Sequence, residues 1–232
     1  MKRNLRLWEY YALIQYKLKH LKIKYFGLLA VATIMCLYAH AQRPEPSGPV
    51  PSGIPTDGIK GLVIGDSVPK WFWDVELGVV NHPEGDHTVS LGAYRDKLLV
   101  LDFWATYCSP CVKSLDKWNC LQQKGHGRVT VLGIHLFHHN HVAGPFAKQR
   151  GWSIPIAVGN RLDTLLNDLF YARRRFGQVW IKDGKLLAIP KNRVVTAELV
   201  DSILADKPVR IEMEESHTYF DPALTQSKNT TN

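Results

Sequence analysis

One stretch, Leu98-Leu-Val-Leu-Asp-Phe-Trp-Ala-Thr-Tyr-Cys-Ser-Pro-Cys-Val-Lys-Ser-Leu115, limits the architecture of this chain more than any other. The apolar run Leu98 to Phe103 predicts a buried strand. It breaks at a short turn and gives way to a helix that begins near Pro110. Proline suits a first helical turn, where its missing N–H has no partner to lose. Cys108 then falls at the helix N-terminus, where unpaired N–H groups and the helix dipole favour a thiolate. Cys111 lies one turn on, close enough to close a small disulfide ring. A CxxC by itself is equally half of a zinc site. Placed between a strand ending Asp-Phe-Trp-Ala and a helix, it points to redox chemistry.

These residues resemble the active site of the thioredoxin superfamily, which runs Phe-Trp-Ala-x-x-Cys-x-x-Cys. The likeness is greatest to the TlpA/ResA branch of exported thiol-disulfide oxidoreductases, in the long-chain form common in Bacteroidetes. The resemblance implies a thioredoxin-like α/β fold, a central mixed sheet with helices on both faces and an N-terminal β extension. It also implies that Cys108 is the exposed nucleophile and Cys111 the resolving thiol of a redox-active disulfide. Asp102, six residues before Cys108, matches a buried acid that exchanges protons with the second cysteine. Trp104 and Tyr107 shape the site, and Ser109 and Pro110 help set thiolate stability. No organic cofactor is implied. Peroxidase chemistry is disfavoured, because peroxiredoxins place Thr three residues before the reactive Cys and this chain has Ala105.

The chain departs from the pattern at three places. Tyr107 stands where Trp is usual, and Asp116 where the helix has a kinking Pro. At the third, the position of a cis-proline packed against the CxxC falls on Phe176, followed by Gly177. A non-proline cis bond costs about 3–4 kcal/mol, so a trans loop is expected there. Arg173, Arg174 and Arg175 precede it. A second cluster, His135-Leu-Phe-His-His-Asn-His141, follows a strand that ends on the CxxC edge of the sheet. Imidazoles there could join both thiolates around a metal. A metal- or partner-binding protein without redox turnover is therefore the competing reading, although no metal ligand is assigned. Cys120, nine residues beyond Cys111, should face away from the active pair and is expected to be a buried, inert thiol.

The net charge of +8 is mostly local. Residues 1–41 carry seven Lys/Arg against Glu9 alone, and without them the chain is at +2. That argues against a nucleic-acid partner. The basic stretch precedes an apolar run, Tyr25 to Tyr38, and then Ala39-His40-Ala41. Together they read as a secretory signal, favoured over a permanent anchor because the run is short of the ~20 residues that span a bilayer. Cys36 follows Met35 rather than a small residue and is a poor lipoprotein cysteine. Export implies a periplasmic or envelope location where disulfides persist. The partners expected there are cysteine-containing envelope proteins, with a membrane thiol donor if the protein is a reductase. Any membrane contact would come through an uncleaved leader.

Domain limits follow from composition. Residues 1–41 are the leader, and 42–60 form a Pro-rich spacer. The thioredoxin-like domain covers 61–207, and 208–232 is a polar tail expected to be disordered. Within the domain, strands are expected at Arg128 to Phe137 and Ile154 to Val158. Helices are expected at His141 to Gly151 and Arg161 to Phe170. A hairpin is expected around Asp183-Gly184, and a closing helix at Thr196 to Ala205, capped by Thr196.

Overall fold

A computed structural model describes residues 10–19, 59–124, 127–136, 140–159, 162–171 and 175–214. The signal cleavage site, the apolar run of the leader and most of the Pro-rich spacer lie outside these residues. So do His138, His139, Arg173, Arg174 and the last part of the tail. Residues 10–19 form a helix, α1, exposed along its whole length, in a unit distinct from the remainder. No described helix is long and apolar enough to cross a membrane.

The larger unit is built on a seven-stranded mixed sheet. In chain order its strands are β1 (Glu76–Val80), β2 (Thr88–Ser90), β3 (Leu98–Trp104), β4 (Val129–His135), β5 (Ile156–Ala157), β6 (Gly177–Lys182) and β7 (Lys185–Ala188). They lie in the order β2-β1-β5-β4-β3-β6-β7. β3 runs parallel to β4, and β4 parallel to β5, while β6 and β7 close the sheet antiparallel. β1 and β2 form an antiparallel N-terminal extension joined to β5. The helices are α2 (Lys70–Trp73), α3 (Ser109–Gln123), α4 (Asn140–Arg150), α5 (Leu162–Phe170) and α6 (Ala197–Leu204).

β3 is apolar without a break, apart from Asp102, because both its neighbours and both its faces are covered. All seven of its residues are buried. Alternate side chains divide between two cores. Leu99, Leu101 and Phe103 pack with Leu166, Leu169 and Phe170 of α5 and with Phe72 and Trp73 of α2. Leu98, Val100 and Trp104 pack with Leu115 and Trp118 of α3, Ala143 and Ala147 of α4, and Val200 and Ile203 of α6. Helices therefore cover both faces, and a strand–helix unit carrying the CxxC sits at the centre. The fold is thioredoxin-like.

Local signals act as their chemistry requires. Asp183 and Gly184 both take positive φ, 52° and 71°, which turns β6 tightly into β7. Thr196 Oγ1 accepts the Leu199 N–H at 3.2 Å and caps α6. Backbone contacts continue past Lys207. Met213 bridges Pro190, the Glu214 N–H donates to Ile189, and Glu212 pairs with Lys191 and Arg193. Residues 212–214 thus pair with the segment 189–191 that follows β7, while residues 65–68 pair along β7 itself. The tail, expected to be mostly disordered, is described as far as residue 214. At the other limit, Ile59 already packs on the first core.

Candidate active site

The turn after β3 delivers Cys108 to the N-cap of α3, with Pro110 in the first turn. Its backbone N–H donates to Ala105 at 2.9 Å, which fixes the turn. Cys108 and Cys111 are joined by a disulfide, their Cα atoms 5.3 Å apart. The two sulfurs stand in different surroundings. Cys108 is half-buried, whereas Cys111 is 1% exposed and belongs to the second core. Ser109 and Pro110 are exposed beside the pair. One cysteine is open to a partner, and the other faces the protein interior.

Beneath α3 lies Asp102, fully buried. Burial is the main force on its carboxyl and pushes it up to about 8, opposed by the hydrogen bond from Ser114. Sheet register explains its surroundings. Asp102 is paired with Gly133 on β4 and with Gln178 on β6, so these positions share its face of the sheet. Ser114, one turn beyond Cys111 on the buried side of α3, donates its hydroxyl to Asp102 Oδ2. Gln178 Nε2 donates to Ser114 Oγ at 2.6 Å and to Asn192 Oδ1 at 3.3 Å. Gln178 Oε1 accepts the indole N–H groups of Trp118 at 3.1 Å and Trp180 at 2.9 Å. Asp102 Oδ1 is buried with no hydrogen-bond partner.

Trp104 ends β3, ahead of the turn to Cys108. It is wholly buried and packs its ring on His135 (5.0 Å), Trp152 (5.2 Å) and Phe146 (5.6 Å). At the surface stands Tyr107, 69% exposed, whose ring meets that of Phe176 at 5.9 Å. Phe176 sits in a trans loop, as expected. Behind it, Asn167 holds the chain by both backbone groups of Arg175, accepting its N–H at 3.0 Å and donating to its carbonyl at 2.9 Å. Gly177 follows with φ 146°, and a Cβ there would lie 2.8 Å from Tyr171 Oη. Gly177→Ala is therefore expected to cost about 1–3 kcal/mol of stability, read from urea unfolding with the disulfide intact.

One further departure, Asp116, and the placement of Cys120 are resolved. Asp116 does not disturb α3, which runs unbroken from Ser109 to Gln123. It accepts hydrogen bonds from Trp152 Nε1 at 2.8 Å and from the Arg150 guanidinium, tying α3 to the end of α4. Cys120 faces away from the active pair but is exposed, which corrects the expected burial. The buried residues of α3 are Cys111, Ser114, Leu115, Trp118, Asn119 and Leu121, and Cys120 is not among them. A residue on the opposite side of a helix packed by one face meets water.

The histidine cluster is divided. His135 is buried against Trp104, and His141 is exposed at the start of α4. Among the described residues, the group placed to hold a metal is His82, Glu84 and Asp86, on the connection between β1 and β2 rather than at the cysteines.

Sequence reasoning missed Ser114, Gln178 and Asn167. The signal for each was a polar residue at an apolar position of a helix or strand.

No protein-family model matches the chain, and no curated protein sequence matches it. Solved structures do. A candidate protein disulfide isomerase from Bacteroides thetaiotaomicron is 20% identical, with a TM-score of 0.49, over 70% of this chain and 99% of that one. A thiol:disulfide interchange protein from Bacteroides sp. is 19% identical, with a TM-score of 0.42, over 62% and 90%. A peroxiredoxin Q C47S mutant from Xylella fastidiosa is 19% identical, with a TM-score of 0.47, over 62% and 97%.

Proposed function

We propose that this chain is an exported thiol-disulfide oxidoreductase that exchanges disulfides with cysteine-containing envelope proteins. The observation that carries the reading is the asymmetric pair: a half-buried Cys108 at a helix N-terminus, bonded to a buried Cys111 above a buried acid. In the reduced protein, Cys108 attacks a substrate disulfide. A mixed disulfide forms and one substrate sulfur leaves as a thiolate. Cys111 then gives its proton to the Asp102 carboxylate and attacks Cys108 Sγ. The Cys108–Cys111 bond forms, the bond to substrate breaks, and the second substrate sulfur departs as a thiolate. Two electrons have passed to the substrate. The reverse sequence oxidises a dithiol. As a reductase the protein requires a membrane thiol donor to restore the pair. The basic leader and its Ala-His-Ala site support export, and Tyr107 with Phe176 supports an apolar rim for the substrate chain.

The test is a redox equilibrium of the full chain against a thiol-disulfide series in metal-free buffer. A reversible two-electron transition, absent in Cys108→Ser, is expected. A pair that forms no disulfide under any poise would overturn the reading.

A further inference from the structure

The hydrogen bonds behind the cysteines have a direction, and that direction selects one oxygen of Asp102. An indole N–H can only donate. Two of them, from Trp118 and Trp180, meet the same atom of the Gln178 amide, so that atom is the oxygen. The Gln178 nitrogen must then face Ser114, and it donates there at 2.6 Å. With its oxygen accepting from Gln178, the Ser114 hydroxyl turns its own hydrogen to the remaining neighbour, Asp102 Oδ2. Donation therefore runs one way, from the indoles through Gln178 and Ser114 to Oδ2. A proton on Oδ2 would oppose the Ser114 hydrogen. Oδ1, buried and without a hydrogen-bond partner, is the atom left to carry it.

We infer that Ser114 and Gln178 are positioning residues that lock Asp102 so that Oδ1 alone takes and returns the Cys111 proton. This rests on reading the cysteine pair as an exchange centre. The placement is favourable, because Cys111 and Ser114 lie one turn apart on the buried side of α3 and Ser114 holds the carboxyl. During resolution the Cys111 proton moves to Oδ1, and the carboxylate charge disappears while Oδ2 keeps its donor. In the reverse step Oδ1 returns the proton to the departing Cys111 thiolate. The lock keeps the carboxyl from rotating between these events. It also supplies a hydrogen bond to the charged form, which restrains the upward push of burial on the Asp102 carboxyl.

The test follows the protonated Asp102 carboxyl by infrared spectroscopy across pH, in the full chain with the disulfide intact. The titratable side chains to consider beside Asp102 are Cys111 on the buried side of α3 and, in the core of the other sheet face, the Tyr171 phenol, which feels the charges of Asp102, Glu214 and Arg175. In the disulfide form Cys111 has no proton to lose. Tyr171 is held far above its ordinary range by burial and by the Asp102 charge, so the transition near pH 8 belongs to Asp102. Ser114→Ala removes the donor from the charged form. Its midpoint should rise by about one pH unit, tenfold in proton affinity. Ser114→Thr restores the hydroxyl and should restore the midpoint. Gln178→Met frees the Ser114 hydroxyl to turn and should raise the midpoint by a smaller amount. If Gln178→Met does not fold, the Ser114 pair decides alone.

A Ser114→Ala midpoint equal to that of the unaltered protein overturns the proposal, as does a Ser114→Thr midpoint equal to that of Ser114→Ala. Exchange of the cysteines is read separately. A shifted midpoint with no exchange sinks the proposed function and leaves the hydrogen-bond lock standing, whereas normal exchange with no shift sinks the lock alone.

Discussion

Cys111→Ser is expected to stop the reaction at a covalent adduct, and Cys108→Ser to prevent it from starting. The difference follows from position. Cys108 is half-buried at the open end of α3, while Cys111 is 1% exposed. A substrate disulfide can reach the first sulfur, but the second can attack only what the first has already bound. Attack between well-placed groups in one molecule is worth an effective concentration of about 10⁵ M or more. Millimolar external thiol cannot replace it, so turnover in Cys111→Ser should fall by several orders of magnitude. The mixed disulfide with Cys108 should accumulate at one per chain. The variant should be made with Cys36 and Cys120 replaced by serine, because Cys120 is exposed and would add an unrelated adduct. Non-reducing electrophoresis and mass spectrometry, with a disulfide-bonded peptide as substrate, read the result. Equal trapping by Cys108→Ser would show that the assigned order of the two cysteines is wrong.

The strand–helix centre of this fold was legible because its signals are short-range. An apolar run, a proline at a helix start and an Asp-Gly turn each act within a few residues, and each forms where the sequence places it. Asp102 could be read as buried because apolar residues flank it in a strand. Ser114 and Gln178 could not be read as its partners. They meet Asp102 only through the packing of α3 on the sheet and through the register that sets Gln178 opposite Asp102. In a linear reading Ser114 is a neutral helix residue and Gln178 is the polar end of a strand. Asp116 failed as a signal for a related reason. Its meaning lies in Arg150 and Trp152, at and just beyond the C-terminal end of α4. Cys120 was misread on a different point. Its spacing from Cys111 sets its direction around α3, but its exposure depends on which face of α3 packs and not on residue type.

Asp102→Asn is expected to abolish the pH dependence that this carboxyl imposes on stability, and the direction can be worked out. In the unfolded chain the group ionises near its ordinary value of 3.8, and in the folded chain burial raises it to about 8. Between those values the folded protein holds a proton that the unfolded chain has released. Stability contributed by this group therefore falls as pH rises from about 4 to about 8. Below that window both states are protonated and nothing is lost. Above it both are ionised and the full penalty remains, several kcal/mol where each tenfold change in proton affinity is worth ~1.4 kcal/mol. Asparagine cannot ionise. Its oxygen can still accept from Ser114, but its nitrogen replaces Oδ1 where no partner exists, at a cost of about 1–3 kcal/mol at every pH. The two stability curves should consequently cross near pH ~5, with the unaltered protein the more stable in acid and the variant increasingly the more stable toward pH 8. Urea unfolding of both proteins over this range, with the disulfide intact, measures the difference directly and cancels the other titrating groups. A difference that stays constant with pH would mean that the Asp102 carboxyl ionises normally in the folded chain. It would then be charged at neutral pH in the disulfide form, with no proton to return to Cys111 when that bond is reduced.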